Sequence, residues 1–455
     1  MAEPTTWPPV SPLSGRESDV EHLRAAAAEG HCTSLVGMSN IGKSYVLRAL
    51  CKGVQQEALP PPAFVYIDCN RMVESTDQGF YELVLRCLRA SLMPTHGDGH
   101  LADQLEQCYG DVVSPASPFL APLRFSEGIS AVCEQLARPL VLIFDEFDEV
   151  MQRIDDRVLL NLRALRDTYS ERLSYITASG RRLSAIRRTH GSGEFAELFG
   201  QNIYFLGPLH AEAASALVGQ WVAGEGLALT PADMPFILEE SGGHPALLEA
   251  VARALSALHQ DARAIQRTLS TERIRERLDT DVACHAECTK FWQELDALER
   301  HALLEVNPPE EGSPHAAAWQ ALLERHLLCP AETGAQPFCR LFAAYLRRQR
   351  LLQRPDSWGV RVDVEAGDVW VDGRQISPLT DLEYRLLLLL YGHLDKIVDK
   401  YTVVEAVWGQ DYIDQVDDAR IEKLMSRLRQ KLEANPAEPR YLLTVRGRGY
   451  KLVSP

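Results

Sequence analysis

The chain has 455 residues, 46% of them hydrophobic and 24% charged, an ordinary globular balance with length for about two to four domains. No apolar run approaches the ~20 residues of a membrane span, and no basic-then-apolar leader opens the chain. Ten scattered cysteines form no dense framework, so a reducing, cytoplasmic setting without a membrane is expected.

Residues 1–14 are rich in Pro and Ser and read as an extended lead-in. From 15 to 209, apolar runs alternate with helical patterns: TSLV (33–36), AFVYID (63–68), LVLIF (140–144), SYITA (174–178) and NIYFL (202–206). Near-continuous apolar strands separated by helices predict an α/β core with a parallel sheet covered on both faces. The stretch 95–122, with its Gly, Asp and Pro, reads as a surface insertion of no predicted structure.

Between the first strand and the helix pattern SYVLRALCKGV stands G-M-S-N-I-G-K-S, residues 37–44, which fits GxxxxGK[ST]. Gly37 and Gly42 let backbone amides curl around phosphates at a helix N-terminus, with Asn40 and Ile41 inside the loop and Tyr45 just beyond it. Lys43 would reach the β- and γ-phosphates of a nucleoside triphosphate, and the Ser44 hydroxyl would ligate Mg²⁺. About 100 residues on, LVLIFDEFDEV is a buried strand ending in acids. Asp145 would hold the metal through water and Glu146 would orient the attacking water. Asp148 and Glu149 read as helix-start residues. At the end of the next strand, Arg181 is the expected γ-phosphate sensor, with Arg182 as the alternative.

Residues 210–278 are helical in pattern and predict a lid, and 279–350 carry two or three more amphipathic helices. Cys284, His285 and Cys288 match no common zinc spacing and read as buried thiols. A Pro/Asp/Ser/Gly break predicts a linker at 351–358. The last segment, 359–455, opens with short strands, and T-D-L-E at 380–383 is a capping box before LEYRLLLLLYGHL. A short helix ends at Gly409, and VDDARIEKLMSRLRQKLE follows. The net charge of −16 disfavours indiscriminate polyanion binding, yet from Arg420 to Lys451 nine Lys/Arg face only three Glu. Arg420, Lys423, Arg427 and Lys431 recur at helical spacing, while Arg429 projects from a different face. The final hairpin carries Arg446 and Arg448 between glycines. A basic helix followed by an arginine-tipped wing is the layout of a winged helix-turn-helix that reads double-stranded DNA.

Two resemblances follow from these motifs. The order of strand, P-loop, DE acid, sensor arginine and SGGHPALLEAVARAL resembles the STAND class of AAA+-related ATPases and the Orc/Cdc6-like ATPases, over about residues 12–350. It implies ATP with Mg²⁺, adenine bordered by the Gly15-Arg16-Glu17 motif, and a lid contact through Gly243, His244 and Pro245. It also implies a winged-helix-like middle segment (279–350) and a switch in domain packing or oligomerisation. The long repeat sensor usual in that class is absent from the sequence. LTDLEYRLLLLL, VVEAVWG, SRLRQKLE and TVRGRGYKL closely resemble the OmpR/PhoB-type DNA-binding domain. Together they predict a slow ATPase that switches a DNA-binding regulator, forming a homo-oligomer in the ATP state and served by a separate sensor or effector. The alternatives are a DNA-associated ATPase of a defence or mobile-element system, and a signalling scaffold whose winged helix binds protein.

Overall fold

The computed structural model describes residues 15–52, 61–92, 99–117, 119–264, 270–305, 313–331, 334–352, 359–364, 367–372, 374–376, 378–409, 416–445 and 447–453, with Trp7 and Leu13. Most of the expected N-terminal extension and linker, and Arg446, lie outside the described residues. The chain divides into two compact units, residues 1–343 and 344–455.

The first unit begins with α1 (Glu17–Ala28), β1 (Thr33–Val36), α2 (Lys43–Lys52), β2 (Ala63–Asp68), α3 (Asp77–Leu92), α4 (Gly99–Val113) and α5 (Leu120–Gln135). It continues through β3 (Leu140–Asp145), α6 (Asp148–Arg153), α7 (Asp156–Thr168), β4 (Leu173–Ser179), α8 (Leu183–Ile186), α9 (His190–Glu197) and β5 (Ile203–Phe205). The five strands form one parallel sheet in the order β2-β3-β4-β1-β5. β1, β3 and β4 are buried at every position, which is why they read as near-continuous apolar runs broken only by small hydroxyl residues. β2, at the edge, alternates buried and half-buried residues. Phe144 on β3 anchors an aromatic cluster with Phe80, Phe147 and Tyr175, at centroid separations of 5.7, 5.3 and 5.9 Å. The stretch 95–122 supplies α4 and the start of α5, which pack on α3 through Leu101, Leu105, Cys108 and Val112.

Four helices follow the sheet: α10 (Ala211–Glu225), α11 (Met234–Ser241), α12 (Pro245–Ala264) and α13 (Thr271–Thr280). Then come α14 (Val282–Gln293), α15 (Ala297–Leu304), α16 (Pro314–Glu324), an antiparallel hairpin of β6 (Leu328–Ala331) and β7 (Gly334–Pro337), and α17 (Arg340–Leu352), which crosses the division between the units. Three helices and a hairpin give the middle segment a winged-helix order. Cys284 and Cys288 are buried on α14, and burial raises the Cys284 thiol far above its ordinary range.

The second unit is built from a three-stranded antiparallel sheet, β8 (Val360–Asp363), β9 (Asp368–Val371) and β10 (Arg374–Gln375), then α18 (Asp381–Gly392), α19 (Lys400–Trp408), α20 (Asp418–Leu432) and the hairpin β11 (Leu442–Val445) and β12 (Gly449–Leu452). Thr380 and Glu383 form the expected capping box on α18. Ile421, Leu424, Met425 and Leu428 pack α20 into the core with Leu386, Leu390 and Val403. Glu433, past the end of α20, accepts the backbone N–H groups of Arg440, Tyr441 and Leu442 at 2.8, 2.8 and 2.7 Å. One carboxylate therefore sets where the final hairpin starts. Glu433→Ala strands three amides, two of them buried, and is expected to cost the second unit about 2–4 kcal/mol. Urea unfolding of the full chain, with Glu433→Gln as the milder companion, measures it.

Candidate functional site

The loop from Gly37 to Ser44 joins β1 to α2, at the carboxyl edge of the sheet where the end of β4 separates it from the end of β3. Its carbonyls are gripped by side chains. The Lys43 ammonium donates to Gly37 O and Met38 O at 3.0 and 3.1 Å. Arg16 donates to Ile41 O at 2.7 Å and to Gly207 O at 2.9 Å. His244 Nε2 meets Ser39 O at 2.9 Å. Carbonyls committed in this way leave the loop's amides to meet an anion. Gly42, at φ +106°, takes a conformation side chains rarely adopt, and Asn40 sits in the left-handed region at φ +57°. Ser44 is half-buried in the first turn of α2, and Tyr45 is exposed. Buried Lys43, the tight glycine turn and a helix N-terminus fit a nucleotide's phosphates.

The lid reaches the loop through one short turn. Gly243, at φ +77°, accepts the Leu209 N–H with its carbonyl at 2.9 Å, and a Cβ there would sit 2.3 Å from Leu209 O. His244 follows, fully buried, edge-on to Phe291 at 4.8 Å, and Pro245 opens α12. Burial lowers the His244 imidazole from its ordinary 6.5 to about 4, so it meets the loop as a neutral ring. Gly15 packs beneath α10, where a Cβ would meet the side chain of Ala213.

Opposite the loop, Asp145 ends β3 and is buried. Its Oδ1 accepts Glu146 N at 3.1 Å, and its Oδ2 accepts the Tyr66 hydroxyl at 2.5 Å. Arg48 of α2 donates to the same hydroxyl at 3.2 Å and lies over the Tyr66 ring. Burial, then the neighbouring carboxylate, pushes Tyr66 up, keeping it a donor. Glu146 holds φ +54°, a strained setting for a non-glycine residue. Burial raises its carboxyl, against the pull of Lys43. Asp148 starts α6 and accepts Gly180 N with both oxygens at 3.0 Å. Nothing in the sequence marks Tyr66 or Arg48, because their reach to Asp145 depends on strand pairing.

Arg181 departs from expectation. Its guanidinium donates to the Glu294 carbonyl and pairs with Glu299 and Asp296 at 3.5 and 3.8 Å. The end of β4 abuts the α14–α15 turn, whose carboxylates claim it. Arg182 pairs with Glu324 at 2.9 Å.

In the second unit, Arg420, Lys423 and Arg427 lie exposed along α20, and among the described residues none is engaged in an ion pair. The acids before them are accounted for: Asp417 caps the helix by accepting Arg420 N, and Asp418 pairs with Lys400 at 2.5 Å. Lys431 does not join that face. Its ammonium donates to Glu383 Oε2 and Pro378 O, both at 2.8 Å, because the nearly buried Glu383 requires a counter-charge. Arg429 ties the helix to the wing through Leu442 O and Thr444 Oγ1. Arg448 is exposed in the turn of that wing.

Two family descriptions match: "AAA ATPase domain" over residues 12–176 and "Transcriptional regulatory protein, C terminal" over residues 373–452. The chain is 40% identical over 92 residues to the uncharacterized transcriptional regulatory protein YrkP of Bacillus subtilis, covering 20% of this chain and 39% of that protein. It is 41% identical over 98 residues to the sensory transduction protein RegX3 of Mycobacterium tuberculosis, covering 21% and 41%. The chain thus spans about two-fifths of the length of these curated relatives. Among solved structures, the Walker-type ATPase PABY2304 of Pyrococcus abyssi is 15% identical at a TM-score of 0.45, covering 73% of this chain and 95% of that one.

A neutral buried His244 sets a pH dependence. The unfolded chain takes up the proton near 6.5 and the folded one only near 4, so this contribution is complete above pH 6.5 and is lost as pH falls toward 4. The stability advantage of wild type over His244→Gln is expected to shrink by up to about 1.4 kcal/mol per pH unit across that window. Thermal unfolding of both proteins between pH 7 and 4 checks it.

Proposed function

From a chain that joins an AAA ATPase domain to an OmpR/PhoB-type transcriptional regulatory domain, we propose an ATP-dependent DNA-binding regulator of transcription. In it, nucleotide state switches conformation or oligomerisation and thereby the C-terminal reader. The observation that carries this reading is the lid's hold on the phosphate loop, His244 on Ser39 O, in a chain that also presents Arg420, Lys423 and Arg427 exposed and, among the described residues, outside any ion pair. A ligand entering that loop meets the same residues that fix the lid.

Ser44 and Asp145 are the residues that would hold Mg²⁺, which supplies charge neutralisation for the triphosphate when bound. Lys43 binds phosphate by leaving the carbonyls of Gly37 and Met38. Glu146, its carboxyl raised by burial, accepts a proton from water more readily than an exposed glutamate. Arg181 acts as a sensor only once its contacts with Glu299 and Asp296 open. Turnover resets the switch, so hydrolysis is slow. On DNA, α20 enters the major groove through its second and third turns, and Arg446 and Arg448 contact the backbone or minor groove.

Lys43→Ala is expected to abolish ATP binding. Glu146→Gln should keep binding while hydrolysis falls at least about 100-fold, and a wild-type rate in Glu146→Gln would sink its role. On a duplex selected by the wild-type protein from a random library, Arg420→Ala and Arg427→Ala should each weaken binding roughly tenfold or more. Affinities measured with ATPγS, ADP and no nucleotide test the coupling; identical values in all three states would refute it.

A further inference from the structure

Glu294, the residue that caps α14, stands on the phosphate side of the ATPase sheet. A Cβ on Gly180, just past β4, would lie 3.8 Å from Glu294 Oε2 and 3.5 Å from Asp148 Oδ1. The same Oε2 is 3.7 Å from Nη2 of the buried Arg325 and has no hydrogen-bond donor among the described residues. Ser39 and Lys43 of the loop face this carboxylate, and Glu146 faces it from the acid side. Burial raises the Glu294 carboxyl, with Lys43 and Arg325 drawing it back.

The Glu294 carboxylate thus lies at the end of β4, within the electrostatic reach of both Lys43 and Glu146. A nucleotide seated on this loop must place its third phosphate there, since a P-loop lysine reaches the β- and γ-phosphates. The first two phosphates of such a nucleotide would meet the loop's amides and the N-terminus of α2. The rest of α14 is fastened to the same loop, for Glu287 Oε2 accepts Asn40 Nδ2 at 2.9 Å and Phe291 packs on His244. Lys43 lies folded on its own loop carbonyls.

We infer that Glu294 makes this site select nucleoside diphosphate over triphosphate, by occupying with its own carboxylate the place of the terminal phosphate. A diphosphate binds with Glu294 in position, whereas a triphosphate binds only when Glu294 and the end of α14 withdraw. That withdrawal leaves Arg325, whose Nε and Nη2 are buried without acceptors among the described residues, and Arg181, now on the Glu294 carbonyl, as cations bordering the third phosphate. Like charges cannot share a poorly solvated site without cost, so the selectivity is electrostatic and carried by one residue.

The inference rests on the P-loop reading, and the experiment separates the two. Dissociation constants of Mg-ADP and Mg-ATPγS are measured by calorimetry on the full chain for wild type, Glu294→Gln and Glu272→Gln, an exposed acid on α13. Glu294→Gln keeps the shape and removes the charge; it should tighten ATPγS at least tenfold relative to ADP, with ADP within about threefold of wild type. Glu272→Gln should leave the ratio unchanged. Tight ATPγS binding by Glu294→Gln where wild type takes only ADP would support the inference in its strongest form. ADP bound equally by wild type and Glu294→Gln with an unmoved ratio would overturn it and leave the P-loop reading intact. No binding of either nucleotide by any of the three proteins would overturn both. ADP affinity doubles as the check that Glu294→Gln is folded.

Discussion

A loop that holds a polyanion by its amides must first dispose of its carbonyls. Here that is done by three side chains from three parts of the chain: Lys43 from α2, Arg16 from the segment before α1, and His244 from the turn before α12. Each replaces water with a directed donor in a place where an unpaired carbonyl would be costly. The brace extends outward. Arg16 also binds Asp19, Asp19 accepts the Tyr204 hydroxyl at 2.6 Å, and Tyr204 stacks on His22 at 4.4 Å. Helix α1, strand β5 and the lid are thus fastened to the loop they surround, and the loop cannot change shape without disturbing all three.

The opposite wall is held by charge. Arg181 and Arg325 meet Glu294 and Glu299 where β4 adjoins the α14–α15 turn. Such a network adds little net stability but penalises every arrangement that separates one member from its partner. It therefore specifies how the middle segment docks on the sheet. Glu240 repeats the device: it is fully buried, with Arg275 at 2.9 Å on one side and Arg340, at the start of α17, on the other.

The sheet was legible because β1, β3 and β4 are buried on both faces and read as apolar runs, and the P-loop because its chemistry is local. The basic face of α20 was legible through Arg427, but spacing alone could not tell Lys431 from its neighbours, since its partner Glu383 is 48 residues away. Helix α4 escaped notice although Leu101, Leu105, Cys108 and Val112 follow helical spacing, because Gly97, Asp98, Gly99 and later prolines mask its ends. Tyr66, Arg48 and Glu294 gave no signal. Each matters only through what the fold sets beside it, and no periodicity records that.

The left-handed backbone of Glu146 has a consequence for how this sequence can drift. At φ +54° glycine or asparagine would be more comfortable than glutamate, by up to about 1–2 kcal/mol. Random substitution screened for thermal stability alone would therefore favour losing the acid. On the proposed role of Glu146 in hydrolysis, its replacement by glycine or asparagine in a descendant chain would exchange turnover for robustness while leaving the phosphate loop itself unchanged.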